Sequence, residues 1–472
     1  MGIIDYSKEP RSDIAFLDMR SFYASVECVE RGLDPLTTSL CVMSSADNSR
    51  GLILAASPTF KRVFGMKNVS RSYDLPFDVT TRKFNFAKVV MEGRTVTKAE
   101  VDAVEDWAQR TLFVPPRMGL YIERNLEIQS VLRDYAPAPY VFAYSIDEGF
   151  VDLTGSLAYF CGGDGAMSRR DQLLQVGHDM QRKIRERVGV YATLGMSNAN
   201  PLLAKLALDN EAKKQADMTA NWSYEDVETK VWGIANLTDF WGIGSRTARR
   251  LNKLGIESVR DLAHADPDKL KAEFGVIGVQ LFFHANGVDE SKVTQPYIPK
   301  AKGLGNSQVL PRDYTSQREI ELVLCEMAEQ VAIRLRRARK KAQVVSIFVG
   351  YSKEVDYRSI QVQEKIEPTH RTDLLQRVVL RLFRQRYHGG AVRNIGIRYG
   401  DLIDENIHVF SLFEDYEQGL KTERLQATLD KVRQKYGHVA ILPASSLEEG
   451  SRTLARSKLI GGHSAGGLDG LS

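Results

Sequence analysis

A chain of 472 residues with 43% hydrophobic and 26% charged residues has a globular composition and a length that suits about three domains. Its 64 Lys and Arg nearly balance 60 Asp and Glu, so a net charge of +4 neither indicates nor excludes a polyanionic partner. No segment reaches the roughly 20 apolar residues of a membrane span, and the polar start MGIIDYSKEPRSD is no secretory signal. Cys28, Cys41, Cys161 and Cys325 are too dispersed for a zinc or disulfide framework, which points to a reducing cytoplasm.

In chain order, IAFLDM (14–19) is a strand-length apolar run ending on the carboxylate of Asp18. FYASVECVERG (22–32) then has helical spacing of Phe22, Val26 and Val29, with Gly32 as a stop. GLILAASPTF (51–60) reads as a strand closing in a Ser-Pro turn. YVFAYSIDEGFVDLTG (140–155) reads as two strand arms around Asp147 and Glu148. A long amphipathic helix (169–189) and the strand VYATLGMS follow. This strand and helix order suits an α+β sandwich of the ferredoxin-like type. From about 226 to 297 the pattern is short helices with Gly-containing turns. GLGNSQVLPRDY (303–314) reads as a linker into two helix-strand units, and the Gly-rich end GGHSAGGLDGLS reads as disordered.

Asp18 alone is compatible with a turn former or a helix N-cap. Asp147 and Glu148 are more demanding, because they interrupt an otherwise apolar stretch. Either they form a solvated hairpin turn, or a cation neutralises them. A hard divalent ion suits such oxygen ligands and retains sites for water and phosphate. Three carboxylates at strand ends suffice for two metals roughly 3.5–4 Å apart, the arrangement for in-line displacement at phosphorus.

FLDMRSFYASVE together with YSIDEGFVDLTG resembles the palm of Y-family DNA polymerases, the translesion enzymes, and is most similar to UmuC-type members of Gram-positive bacteria. The resemblance runs over residues 10–420. It implies a multidomain right-hand polymerase, with a palm at 1–32 and 76–225 and fingers at 33–75. A helical thumb at 226–298, an α/β little finger at 299–420 and a partly disordered tail at 421–472 complete the expected plan. It also implies SOS-type mutagenic repair synthesis with two Mg2+ ions held by Asp18, Asp147, Glu148 and the carbonyl of Met19. Phe22 and Tyr23 fall at the nucleotide sugar, with Tyr23 as the steric gate that rejects a 2′-hydroxyl. Arg62 matches the position of a triphosphate contact, and Thr59 stands where relatives often carry Tyr. Lys213 matches a second phosphate contact, although Lys213 and Lys214 also read as a solvated helix end. Arg20 replaces a second acidic residue common in the family.

FWGIGSRTARRLNKLGI (240–256) resembles a helix-hairpin-helix, in which Gly242, Gly244 and Arg246 grip DNA phosphates. RLRRARKK (334–341), including Arg336 and Arg337, is read as a DNA-binding stretch of the little finger, or else as a solvated face. SLF, with Leu412 and Phe413, is similar to a clamp-docking peptide but lacks its leading Gln. Primer-template DNA, dNTP, a sliding clamp and a recombinase filament are the partners that the resemblance implies. A nucleotide cyclase also uses carboxylates on such a palm but needs no hairpin-helix module. A non-catalytic DNA binder has no use for the carboxylates.

Overall fold

The computed structural model describes residues 4–44, 51–66, 70–87, 95–161, 167–295, 297, 303–406 and 416–464. The chain divides into two compact units, Met1–Tyr297 and Ile298–Ser472. Both mix helices and sheets, and no helix among the described residues is long and apolar enough to cross a membrane.

The first unit begins with β1 (Ile14–Met19) and α1 (Phe22–Val29), then β2 (Leu40–Met43), β3 (Leu52–Ala56), α2 (Pro58–Phe64) and β4 (Ser70–Arg71). It continues through α3 (Lys98–Arg110), β5 (Leu112–Val114), α4 (Met118–Leu132), β6 (Val141–Ala143) and β7 (Glu148–Asp152). After α5 (Arg169–Val188) come β8 (Ala192–Ser197), α6 (Pro201–Asn210) and β9 (Thr219–Asn221). The main sheet has the order β6-β7-β1-β8-β9. β1 lies antiparallel between β7 and β8, and its register sets Asp18 opposite Glu148. Helix α6 packs close to β8 because Gly195 has no side chain: a Cβ there would stand 2.1 Å from the Ala204 carbonyl oxygen.

A second sheet, β4-β3-β2-β5, is covered by α2 and α3 around Phe60, Phe64 and Phe77. It draws in residues 98–114, which the sequence reading places in the palm, because β5 pairs in parallel with the distant β2. Further along the unit lie α7 (Ser245–Lys253), α8 (Val259–Ala263), α9 (Pro267–Phe274) and α10 (Val276–Ala285). Their apolar faces join Leu203, Leu206 and Trp222 in one core.

In the second unit, β10 (Gly303–Tyr314), α11 (Gln317–Arg337), β11 (Lys340–Tyr351), β12 (Ile360–Thr369), α12 (Thr372–Arg384) and β13 (Val392–Gly400) form a sheet of order β10-β13-β11-β12. Both helices and the buried sheet residues share one core. The segment expected as a linker is therefore a strand. Gly303 and Gly305 signal close pairing there, since added Cβ atoms would meet the Tyr399 and Ile397 carbonyl oxygens at 2.7 and 2.9 Å.

The tail is folded through residue 464, the last of its described residues. α13 (Tyr416–Tyr436) and α14 (Thr453–Ser457) are followed by the small hairpin of Leu459–Ile460 and His463–Ser464. Asp430 pairs with Arg336 at 2.6 Å, and Arg433 pairs with Glu329 at 2.9 Å. The Arg452 amide donates to Glu326 at 2.9 Å and the Tyr314 hydroxyl to the Gly450 carbonyl at 2.9 Å. Leu412 and Phe413 lie outside the described residues, as does the Gly-rich end beyond 464.

Candidate active site

The first unit contains a cleft of about 690 Å³ lined by Asp18, Tyr23, Lys61, Asp147, Glu148 and Lys213, with Met19, Arg20 and Phe22 also on its wall. Local hydrogen bonding explains how the carboxylates reach it. The Met19 amide donates to the Asp147 carbonyl at 2.9 Å, which ties the end of β1 to the β6–β7 hairpin tip. Ser145 shapes that tip. Its hydroxyl donates to Asp147 Oδ1 at 2.7 Å, and its oxygen accepts from the Asp147 and Glu148 amides at 3.3 and 3.1 Å. Asn125 of α4 fixes the hairpin from outside, donating to the Ile146 carbonyl at 2.7 Å. Neither Ser145 nor Asn125 was singled out by sequence, although a serine two residues before an aspartate is a turn signal.

Burial pushes the Asp147 carboxyl up, and the charge of Asp18 adds to it; the Ser145 hydroxyl and Lys213 oppose the rise. Glu148 is likewise raised, chiefly by burial, against the pull of Lys205. The Lys205 ammonium is 2.9 Å from Glu148 Oε1 and 3.2 Å from Asp209, above the Phe16 ring at 4.4 Å. Lys213 lies 2.9 Å from Asp18 Oδ2 and 2.8 Å from Asp209 Oδ1. Burial opposes the Lys213 charge, but Asp18 and Asp209 outweigh it and raise the pKa. The two lysines differ in exposure: the Lys205 side chain is 6% exposed and that of Lys213 is 44% exposed. Among the described residues no three His, Cys, Asp or Glu side chains close around a shared centre. Ammonium groups instead sit on Asp18 and Glu148.

Two residues expected here stand elsewhere. Arg62 is exposed and does not line the cleft, with its guanidinium 3.2 Å from Thr59 Oγ1. Thr59 is fully buried and donates its hydroxyl to the Leu36 carbonyl at 2.6 Å. Lys61 occupies the cleft instead, 3.1 Å from the Ser21 hydroxyl. The reason is helix phase. Ser57 caps α2 and Pro58 is its first residue, and one residue of register turns a side chain by about 100°. Burial lowers the Lys61 pKa, Arg20 and Lys213 add to the fall, and Asp18 opposes it.

Tyr23 projects from the first turn of α1 onto the cleft wall, and its ring stacks on Tyr121 with centroids 4.3 Å apart. Phe22, beside it, is buried. At the α7 turn Gly242 has φ +94° and Gly244 is the helix N-cap, both with open space where a Cβ would stand. They border a second cleft of about 670 Å³ with Lys214 and Trp241, while Arg246 is exposed nearby.

Arg336, expected at DNA, has its partners within the fold. Its guanidinium is consumed by Asp430, the His370 carbonyl and the Thr372 hydroxyl, with a side chain only 11% exposed. The acidic partner lies 94 residues away in sequence, beyond any local charge count. Arg337 is exposed. On the sheet face opposite the helices, Ser307, Ser346, Gln361, Gln363 and Arg398 line a groove of about 820 Å³.

The impB/mucB/samB family model matches residues 17–209, and the model of that family's C-terminal domain matches residues 301–412. The IMS family HHH motif matches residues 224–256, which include the Gly242–Gly244 turn. A putative UV-damage repair protein, UvrX of Bacillus subtilis, is 35% identical over 98% of this chain and 100% of its own length. DNA polymerase IV 2 of the same organism is 30% identical, covering 95% of this chain and 98% of the relative. Among solved structures, the Y-family DNA polymerase chimera Dbh-Dpo4(243-245)-Dbh aligns with a TM-score of 0.58 at 18% identity. That alignment covers 83% of this chain and 99% of the other, and it is a likeness of fold.

Proposed function

Because the chain belongs to the impB/mucB/samB family, the Y-family DNA polymerases of translesion repair, we propose that its carboxylate cleft joins a dNTP to a primer 3′-hydroxyl on DNA. One observation carries the assignment. Strand register brings Asp18 and the Asp147–Glu148 hairpin to one wall of a cleft that also holds Tyr23 and two lysines. A nucleotide cyclase has no need of the hairpin-helix turn or of the second unit, and a mere DNA binder has no need of the carboxylates.

The donor set fits magnesium. Asp18, Asp147, Glu148 and the Met19 carbonyl are all hard oxygen ligands, and burial, with Asp18 nearby, disfavours the charged forms of Asp147 and Glu148, a cost that a cation would offset. When bound, two magnesium ions supply Lewis-acid stabilisation of the attacking and leaving oxygens. This chain's own groups do the rest. Lys213, half exposed at the cleft, leaves Asp18 to meet triphosphate oxygens, and Lys61 offers a second cation from α2. Lys205 stays buried and holds Glu148 in place. Tyr23 lies under the sugar and excludes a 2′-hydroxyl, with Phe22 packed beside it.

In this reading the five-stranded sheet is the palm, the smaller sheet the fingers, the α7–α10 helices the thumb and the second unit the little finger. The amides of Gly242 and Gly244, where no Cβ obstructs approach, hold backbone phosphates with Arg246. The groove around Arg398 offers a further DNA surface. Docking of a sliding clamp on Leu412 and Phe413, and action with a recombinase filament, rest on the sequence resemblance alone. The four free cysteines suit a reducing cytoplasm.

The test is incorporation of a single dNTP on a primer-template with magnesium, with EDTA and with calcium. Extension with magnesium, and none with EDTA, supports the proposal. Extension in EDTA contradicts it.

A further inference from the structure

Behind Tyr23 stands a buried acid that the proposed chemistry does not use. Glu27 has no exposed surface and lies one helical turn after Tyr23, on the same face of α1. Its Oε1 accepts from Arg117 Nε at 2.9 Å and from the Tyr121 hydroxyl at 2.8 Å. Its Oε2 accepts from Arg117 Nη2 at 2.7 Å and from the Arg31 guanidinium. Burial acts against the Glu27 charge, yet these three donors hold its pKa below the ordinary value. An ionised carboxylate only accepts, so the Tyr121 hydroxyl is committed to it. Withdrawal of Tyr121 would leave a buried charge short of a donor.

The other end of Tyr121 meets the cleft. Its ring lies flat on that of Tyr23, 13° from parallel, and it is fully buried where Tyr23 is partly exposed. Tyr23 therefore has the cleft on one side and a wall on the other. Packing alone would be served by apolar residues of the same volume, without the desolvation of a buried ion pair. The pair and the hydroxyl add a fixed depth for the wall, and hence for the ring in front of it.

We propose that Glu27, Arg117 and Tyr121 form the back wall of the sugar gate and set how firmly Tyr23 rejects a nucleotide 2′-hydroxyl. The proposal rests on the reading of Tyr23 as the gate. All three are positioning residues. Without the wall, the Tyr23 ring tilts back into the vacated space and a ribose fits above it.

The test compares kcat/KM for one dNTP and the matching rNTP on the same primer-template. The proteins are wild type, Tyr121→Leu, Tyr121→Phe, Glu27→Gln and Tyr23→Ala, each checked for folding by thermal melting. Tyr121→Leu is expected to lower the dNTP-over-rNTP ratio about tenfold or more, mainly through a lower KM for rNTP. Glu27→Gln and Tyr121→Phe should lower it by about threefold, because the stack survives and its anchor weakens. If Tyr121→Leu does not fold, those two variants decide. A wild-type ratio in the folded variants, alongside a lost ratio in Tyr23→Ala, overturns the wall while leaving the gate standing. An unchanged ratio in Tyr23→Ala removes the gate and the wall together. No dNTP incorporation by wild type at all refutes the polymerase reading beneath both.

Discussion

Lys205 and Lys213 share Asp209 between them, yet their surroundings assign them different work. Lys205 is boxed in by Glu148 and the Phe16 ring, so it orders the hairpin. Lys213 is held by carboxylates and is 44% exposed, which suits the proposed exchange of Asp18 for a phosphate. Lys61 and Arg62 make a sharper contrast, being adjacent in sequence while only Lys61 lines the cleft. Lys61→Ala is expected to raise the KM for dNTP by about tenfold, the cost of one charge-assisted phosphate contact, whereas Arg62→Ala should stay within about twofold. Steady-state incorporation kinetics on one template distinguish them. The sequence displayed Asp18, Asp147 and Glu148 because a carboxylate at an apolar strand end is a local anomaly. It hid Lys61, because the phase of α2 depends on where its Ser57 cap begins the helix.

At the scale of elements, the tail helix α13 is joined to α11 and α12 by ions more than by apolar packing. Arg336 is the hub, with Asp430 on one side and the His370 carbonyl and Thr372 on the other. Arg336→Ala leaves the partly buried Asp430 without its pair, at a cost of about 1.5–3 kcal/mol to the docking of this helix. Hydrogen exchange should rise across residues 416–436 while β11 and β13 stay protected. The same corner confers a pH dependence. Burial, with Lys341 and Arg336 nearby, holds His370 down at about 4, against 6.5 unfolded. The unfolded chain takes up this proton first, so the contribution is complete above pH 6.5 and is lost as pH falls toward 4. Unfolding midpoints of the protein at pH 7.5 and 5 should differ by less in His370→Asn. These features were not legible locally. Arg336 looked like part of a basic run because its partner is distant, and β10 looked like a linker because its glycines signal close strand approach as readily as flexibility.

For the whole molecule, a net charge of +4 conceals the proposed DNA surfaces. Many of the basic residues are spent internally: Arg381 pairs with Glu364, Arg384 with Glu321 and Arg250 with Glu273. The proposed phosphate contacts fall to a smaller set, among them Arg246, Arg398 and the amides of the Gly242–Gly244 turn. Primer-template affinity should still fall at least about tenfold between 50 and 200 mM salt, since each neutralised phosphate releases counterions. Arg246→Ala should flatten that slope in a fluorescence anisotropy titration.

The proposed polymerase site stands or falls with Asp147 and Glu148. It is tested most directly by extension of a labelled primer on undamaged and abasic templates with magnesium, comparing wild type with Asp147→Ala/Glu148→Ala. Extension by wild type on both templates and none by the variant is expected, with primer-template binding retained. Extension by both proteins would contradict it.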